Sequence, residues 1–144
     1  MSVTRTDSGA AAPNGEPWTF EKFEVGALIG SSLQRVDDEF IKSWDSIYGV
    51  TDRNGSLPYG AAQLLTMKAY AEVVQPRPPG NIHATQKCRL NSVPVLGREM
   101  KVSVSCTAKY IRRNRKVVDF GVEISDAESG QLYAASTLEI CWAV

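Results

Sequence analysis

The sequence predicts an α+β domain in which one long helix packs against an antiparallel sheet. Three observations predict it: a long apolar segment at 58–75, strand-like alternation through most of 101–142, and helix-like spacing at 37–49. Helices repeat every 3.6 residues and strands every second residue, so the change of period separates the two element types. A sequence in which the helices come before most of the strands is typical of α+β folds, where the helices pack on one face of an antiparallel sheet.

The first ordered part of the chain predicts a strand followed by a short helix. The segment FEVGALIGSS has the apolar content of a strand with a bend, and VDDEFIKSWDSIYG follows it. Asp37 is placed to cap the helix, and Gly49 is placed to end it. The apolar residues recur at helical spacing and predict one buried face, comprising Phe40, Ile41, Trp44, Ile47 and Tyr48.

The second helix is predicted to be the long, mostly buried element of the fold. Pro58 suits a first helical turn, and PYGAAQLLTMKAYAEVVQ runs about seventeen residues before QPRPPGN stops it. Gly60, Ala61 and Ala62 keep its beginning thin, so another backbone or a ligand can approach closely. The same small residues also fit a purely packing role.

Four strands are predicted after this helix, arranged as an antiparallel meander. They are IHATQKCRL, KVSVSCTAKYI, VVDFGVEI and QLYAASTLEICWAV, in which apolar and polar residues alternate. In the third of these strands, Val118, Phe120, Val122 and Ile124 are expected to face the core. The turn RRNRK is expected to join the second and third strands as a hairpin.

Composition bounds the domain organisation and the functional class. Residues 1–17 are rich in Ala, Gly, Ser and Pro and predict a flexible tail, whereas 18–144 predict a single domain. Sixteen basic residues balance sixteen acidic ones, which argues against nucleic acid as a partner. No segment has the apolar length of a membrane span, and three widely spaced cysteines indicate a reducing compartment, so we expect a cytoplasmic protein.

Two segments resemble MaoC-like hydratase domains. FEVGALIGSSLQRVDDEFIKSWDSIYG resembles the beginning of these domains, and HATQKCRLNSVPVLGREM resembles their strand and turn, with matching positions at Gln86, Pro94, Val95 and Gly97. Arg98 stands where the family usually has an acidic residue. The resemblance extends from about Trp18 to the C-terminus.

The resemblance implies a hot-dog fold, in which an antiparallel sheet wraps a long helix and normally pairs with a second copy. It further implies binding of acyl-thioesters of coenzyme A or acyl carrier protein, with no cofactor beyond that carrier and no metal. A homo-oligomer, dimer or larger, is therefore expected. A curved sheet with an exposed edge is independently suited to pairing.

The hydratases of this family carry an Asp and a His five positions apart on the loop before the long helix, and this chain lacks that pair. An Asp and a His can together hold a water and move its protons. Asp52 is the one residue that carries over by type and region. His83, the only histidine in the sequence, is the second catalytic candidate, although it also fits as a polar residue at the start of a strand.

The predicted substrate contacts come from the helix start, the motif and the hairpin. Tyr59 and Gly60 begin the long helix, where backbone N–H groups can receive a thioester oxygen, and Gln86 lies in the matching motif. KYIRRNRK holds five cations, of which Arg112 and Arg113 are candidates for binding the phosphates of coenzyme A or an acidic carrier protein. The same charges also fit a solvated hairpin tip.

Three functions follow from these observations. The first is an acyl-CoA-binding protein of the enoyl-CoA hydratase or 3-hydroxyacyl dehydratase type, a hydro-lyase if it is active. The second is a non-catalytic subunit that pairs with a catalytic hot-dog partner, which the missing Asp/His pair favours. The third is an acyl-CoA thioesterase, which needs a carboxylate in the long helix; Glu72 is the only one there and lies late in it.

Overall fold

A computed structural model describes residues 15–50 and 57–144, together with the backbone of Thr4–Asp7. Two α-helices and six strands are present in these parts of the chain. The helices are α1 (Asp38–Tyr48) and α2 (Ala61–Val73). The strands are β1 (Thr4–Asp7), β2 (Leu28–Arg35), β3 (Ile82–Leu90), β4 (Glu99–Arg112), β5 (Arg115–Asp126) and β6 (Leu132–Trp142).

The strands form one antiparallel sheet in the order β1-β2-β4-β5-β6-β3. The predicted α+β class is therefore confirmed. The predicted meander is correct for β4, β5 and β6 but wrong for β3, which pairs with β6 at the far edge of the sheet. Pairing between strands distant in sequence depends on tertiary contacts, which the alternation within one strand does not encode.

The strands bury one face because their apolar residues alternate. The four predicted core residues of β5 are all buried, as are Val102, Val104 and Cys106 of β4. Arg113 and Asn114 form the tight turn between these two strands, with φ values of 50° and 62°. Positive φ at both central residues is the signature of a type I′ hairpin turn. The predicted hairpin is confirmed.

Helix α2 packs against β2, β4 and β5 through one face. That face is buried and comprises Ala61, Ala62, Leu65, Thr66, Ala69 and Tyr70. The opposite face remains partly open, since Leu64 is 47% exposed. The prediction of a mostly buried helix is thus correct for one face, and the helix is shorter than predicted because it begins after Gly60 and ends at Val73.

Helix α1 has the predicted caps but only part of the predicted burial. The Asp37 carboxylate accepts a hydrogen bond from the N–H of Phe40 at 3.0 Å, and Gly49 follows the last turn at φ 86°. No residue of α1 is fully buried, and Ile47 and Tyr48 are 72% and 67% exposed. Phe40 and Ile41 are partly buried and pack against the core, so the burial prediction is correct in part for them and wrong for Ile47 and Tyr48. Helical spacing identifies an apolar face but does not specify what that face contacts.

The flexibility of the segment 1–17 stays a prediction. The structure describes the backbone of Thr4–Asp7 as a strand that pairs with Ser31–Gln34 of β2.

Cys106 is buried, and Cys88 and Cys141 are half-buried; all three are free thiols. Among the described residues, no helix has both the length and the apolar content needed to cross a bilayer.

Candidate functional site

Helix α1 and the first half of α2 enclose a groove of about 400 Å³ that is open to solvent. Most of its surface is apolar. The residues of α1 that line it are Phe40, Ser43, Trp44, Ile47 and Tyr48, and those at the start of α2 are Gly60, Gln63, Leu64 and Met67. Pockets of this size and lining are typical of sites for small apolar ligands.

The α1 wall of the groove is a row of three aromatic rings. Phe40, Trp44 and Tyr48 follow one another at intervals of four residues and therefore lie on one side of the helix. The ring centroids of Phe40 and Trp44 are 6.2 Å apart, and those of Trp44 and Tyr48 are 4.5 Å apart. This wall presents large, flat apolar surfaces to any ligand that enters.

Gly60 lets the two walls approach each other at the beginning of α2. A Cβ atom at this position would lie 2.9 Å from Cη2 of Trp44, so any larger residue would displace the indole. The N–H groups of Ala61 and Gln63 donate to the carbonyls of Pro58 and Gly60 at 3.0 and 3.1 Å. Tyr59, the other predicted contact at this end, is 72% exposed.

A pair of side-chain amides connects the groove to β3. The Nε2 of Gln86 donates a hydrogen bond to the Oε1 of Gln63, which lines the groove on α2. Gln86 is paired in register with Leu138, and that pairing turns its side chain toward the helix. The structure therefore brings the motif residue Gln86 to the border of the groove, one side chain away from its lining.

Only one of the two predicted catalytic residues lies in the part of the chain that the structure describes, so their pairing stays a prediction. Asp52 lies outside the described residues. His83 is exposed on β3 and pairs in register with Ile140, which places its Cβ on the same sheet face as that of Gln86, beyond a register shift at 83–85. Within the described part of the chain, no groove-lining residue carries a carboxylate or an imidazole.

Arg112 and Arg113 lie at the opposite end of α2 from the groove. The sheet register places the hairpin beside the end of β6 and the start of β3, where α2 has already ended. Helix α2 has thirteen residues and is therefore about 20 Å long from one end to the other. Arg112 is held by Glu139, with Nη2–Oε1 and Nη1–Oε2 distances of 2.5 and 3.2 Å, and this contact lowers the pKa of Glu139.

Several groove residues were missed in the sequence. Gln63, Leu64 and Met67 lie in the helix that was predicted to be mostly buried, and none of them was a predicted site residue. The available signal was the polar Gln63 four residues before Met67 on the same helix face, because a buried helix face rarely carries a lone amide. Ser43 has no distinguishing pattern in the sequence.

The order of the elements, with an antiparallel sheet packed on a central helix, is that of a hot-dog fold. No family model matches the sequence, and no curated protein matches it. Solved structures do match over most of the chain. An R-hydratase from Pseudomonas aeruginosa in the unliganded form is 16% identical, with a TM-score of 0.72 over 99% of this chain and 88% of that chain.

Two further structures show the range of proteins with this fold. A MaoC-like dehydratase from Rhodospirillum rubrum is 17% identical, with a TM-score of 0.72 over 86% of this chain and 96% of that chain. A hypothetical thioesterase from Streptococcus pneumoniae, solved with coenzyme A, is 13% identical, with a TM-score of 0.57 over 96% of both chains. The predicted likeness to MaoC-like proteins is therefore confirmed at the level of the fold.

Proposed function

We propose that this chain binds acyl-thioesters of coenzyme A or acyl carrier protein, with the acyl group in the groove between α1 and α2. The observation that carries the proposal is an apolar groove of about 400 Å³ at the beginning of the long helix. Burying an acyl chain there removes apolar surface from water on both sides. The partial positive charge at the start of α2 is suited to a thioester oxygen.

The proposed reaction type is hydration or dehydration, but we expect binding rather than turnover from this chain alone. Adding water to an enoyl thioester requires an acid and a base close to the reacting carbons. The polar groups of the described groove lining are those of Ser43, Gln63 and Tyr48 and the indole N–H of Trp44, and none of these is a carboxylate or an imidazole. This lining supports the second function, a non-catalytic subunit that binds substrate beside a catalytic hot-dog partner.

Thioesterase activity is the weaker alternative. Glu72, the only carboxylate of α2, follows Met67 by five residues, which is a rotation of about 140° around the helix axis. It accepts a hydrogen bond from the hydroxyl of Ser32 at 2.9 Å, on the side of the helix that meets β2. Glu72 therefore lies away from the groove, where it cannot attack a thioester held there.

The partner is proposed to be a second hot-dog subunit, either a copy of this chain or a catalytic relative. Strand β3 is at the edge of the sheet, and Ile82 and Leu90 at its two ends are exposed. An exposed edge of nine residues offers unpaired backbone groups to another strand. The predicted contact of Arg112 and Arg113 with coenzyme A phosphates stays a prediction.

Titration calorimetry with decanoyl-CoA tests the proposal. We expect micromolar binding, and we expect Leu64→Arg to weaken it at least about tenfold, because a charge would occupy the apolar groove. Leu28→Arg is the matched control, since Leu28 is similarly exposed but lies on β2 outside the groove. Equal affinity for decanoyl-CoA in both variants would exclude the groove as the acyl site.

A further inference from the structure

The α1 wall of the groove carries more aromatic surface than the packing of the core uses. Phe40 is partly buried against the core, but Trp44 is only half-buried and Tyr48 is 67% exposed. No residue of α1 is fully buried. Aromatic rings that stay in contact with water lose much of the free energy that their burial would supply. Packing within the chain therefore does not account for the whole row.

The indole of Trp44 is held between the two helices. A Cβ atom added to Gly60 would lie 2.9 Å from Cη2 and 3.2 Å from Cζ2 of the indole, so this ring lies directly against the backbone of α2. On α1 the indole also contacts the ring of Tyr48, with the two ring planes inclined by 40°. These contacts restrict the movement of the indole. The aromatic wall is therefore in place before a ligand enters, which lowers the entropic cost of binding.

The α2 wall of the groove is also suited to a ring. Leu64 and Met67 line it three residues apart and therefore lie on one side of the helix. The polarizable thioether of a methionine makes favourable contacts with aromatic rings. None of the described residues that line the groove carries a charge, so a charged ligand group would lose its hydration there without compensation. An uncharged aromatic ring would find favourable contacts on both walls.

We propose that the groove selects acyl groups that carry an uncharged aromatic ring, and that Trp44 and Tyr48 are the residues that contact this ring. The inference rests on the proposed function, because it assigns a substrate class to the acyl groove. Aromatic rings in offset-stacked or edge-to-face contact gain about two- to tenfold in affinity beyond the effect of the apolar area that they bury. A saturated acyl group buries apolar area against the same wall without this additional gain.

Two thioesters that differ only in the ring test the proposal. Phenylpropanoyl-CoA and cyclohexylpropanoyl-CoA have the same carrier and the same number of carbon atoms, but only the first has an aromatic ring. Titration calorimetry measures the affinity of each for the unmodified chain and for Trp44→Leu, in which the wall stays apolar but loses the indole. We expect Trp44→Leu to weaken the binding of phenylpropanoyl-CoA at least about threefold more than that of cyclohexylpropanoyl-CoA.

Tyr48→Leu is the second test variant, because the Tyr48 side chain is largely exposed and its replacement should not impair folding. We expect the same selective loss, about twofold or more. Ile47→Ala is the matched control, since Ile47 lines the same groove with an aliphatic side chain and is 72% exposed. We expect it to weaken both thioesters equally. A selective loss in Trp44→Leu or Tyr48→Leu supports the proposal, and equal losses of the two thioesters in both variants would overturn it.

Leu64→Arg separates this inference from the proposed function. If the groove binds the acyl group, this variant should weaken both thioesters at least about tenfold, whichever ring they carry. That result, together with equal losses in the aromatic variants, would overturn the aromatic selectivity alone. Unchanged affinity in Leu64→Arg, or no binding of either thioester to the unmodified chain, would overturn the groove as the acyl site and the selectivity with it.

Discussion

The guanidinium of Arg98 binds the carboxylate of Asp126 through two hydrogen bonds, Nε–Oδ2 at 2.5 Å and Nη2–Oδ1 at 3.0 Å. Asp126 is only 2% exposed and also accepts from the N–H groups of Glu128 and Ser129 and from the Tyr133 hydroxyl. The contact ties the turn before β4 to the end of β5 and the start of β6. These donors, led by Arg98, hold the pKa of Asp126 well below its ordinary value of 3.8.

Acid should weaken the fold through Asp126. Because its pKa is lower in the folded chain than in the unfolded chain, its ionised form stabilises the fold above pH 3.8, and that stabilisation is lost as the pH falls through the folded value. Asp126→Asn should be less stable than the unmodified chain at pH 7, with a difference that narrows below pH 3.8. Urea unfolding at pH 7, 4 and 3 measures this, and a constant difference would contradict it.

Tyr133→Phe should destabilise the same cluster without changing its shape. The hydroxyl donates to Oδ2 of Asp126 at 2.9 Å, and the ring is buried. Losing a hydrogen bond to a charged acceptor costs about 1.5 to 3 kcal/mol. Urea denaturation at pH 7 should show this loss in the free energy of unfolding. Tyr59→Phe, on an exposed ring, is the control and should change it by less than about 0.5 kcal/mol.

Gly60→Ala should alter the groove more than the stability of the fold. The added Cβ would lie 2.9 Å from the Trp44 ring, and the groove is open, so we expect the indole to move outward. The free energy of unfolding should change by less than about 1 kcal/mol, while decanoyl-CoA affinity should fall about tenfold. Calorimetry measures the affinity, and tryptophan emission should report the movement.

A second substitution provides the control for Gly60→Ala. Trp44→Phe shortens the side chain that meets the new methyl group, so the double variant should lose little more affinity than Trp44→Phe alone. Additive losses in the double variant would mean that Gly60 acts independently of Trp44.

His83→Ala should leave both stability and acyl binding nearly unchanged. The side chain is exposed on an edge strand, and we expect the free energy of unfolding to stay within about 0.5 kcal/mol. We also expect the purified chain to hydrate crotonyl-CoA slowly or not at all, with or without this histidine. Rapid hydration that disappears in His83→Ala would refute this and make the imidazole catalytic.

Local patterns predicted the parts of the fold that local chemistry controls. Asp37 caps α1 because a short carboxylate reaches the first free N–H groups, and β5 buries Phe120 because its side chains alternate. The position of β3 beside β6 was not predictable in this way. That pairing joins residues about fifty positions apart, and nothing within IHATQKCRL specifies it.

The groove was less predictable than the fold because it forms between two helices. The spacing of Phe40, Trp44 and Tyr48 identified a single apolar face, but burial against the core and exposure to a ligand produce the same pattern. The role of Gln63 depends on Gln86, which lies 23 residues later in a different element. This contact between α2 and β3 can be recognised only once the positions of both elements in the fold are known.

The hydrogen bond between Gln63 and Gln86 connects the edge strand β3 to the groove. The Gln86 side chain of β3 contacts Gln63 of the groove lining, and the outer edge of β3 pairs with no other strand among the residues that the structure describes. A subunit that docks along that edge would contact the same strand that supports the groove lining. If a second subunit docks there as proposed, we expect a change of oligomeric state to change the affinity for an acyl ligand in the groove.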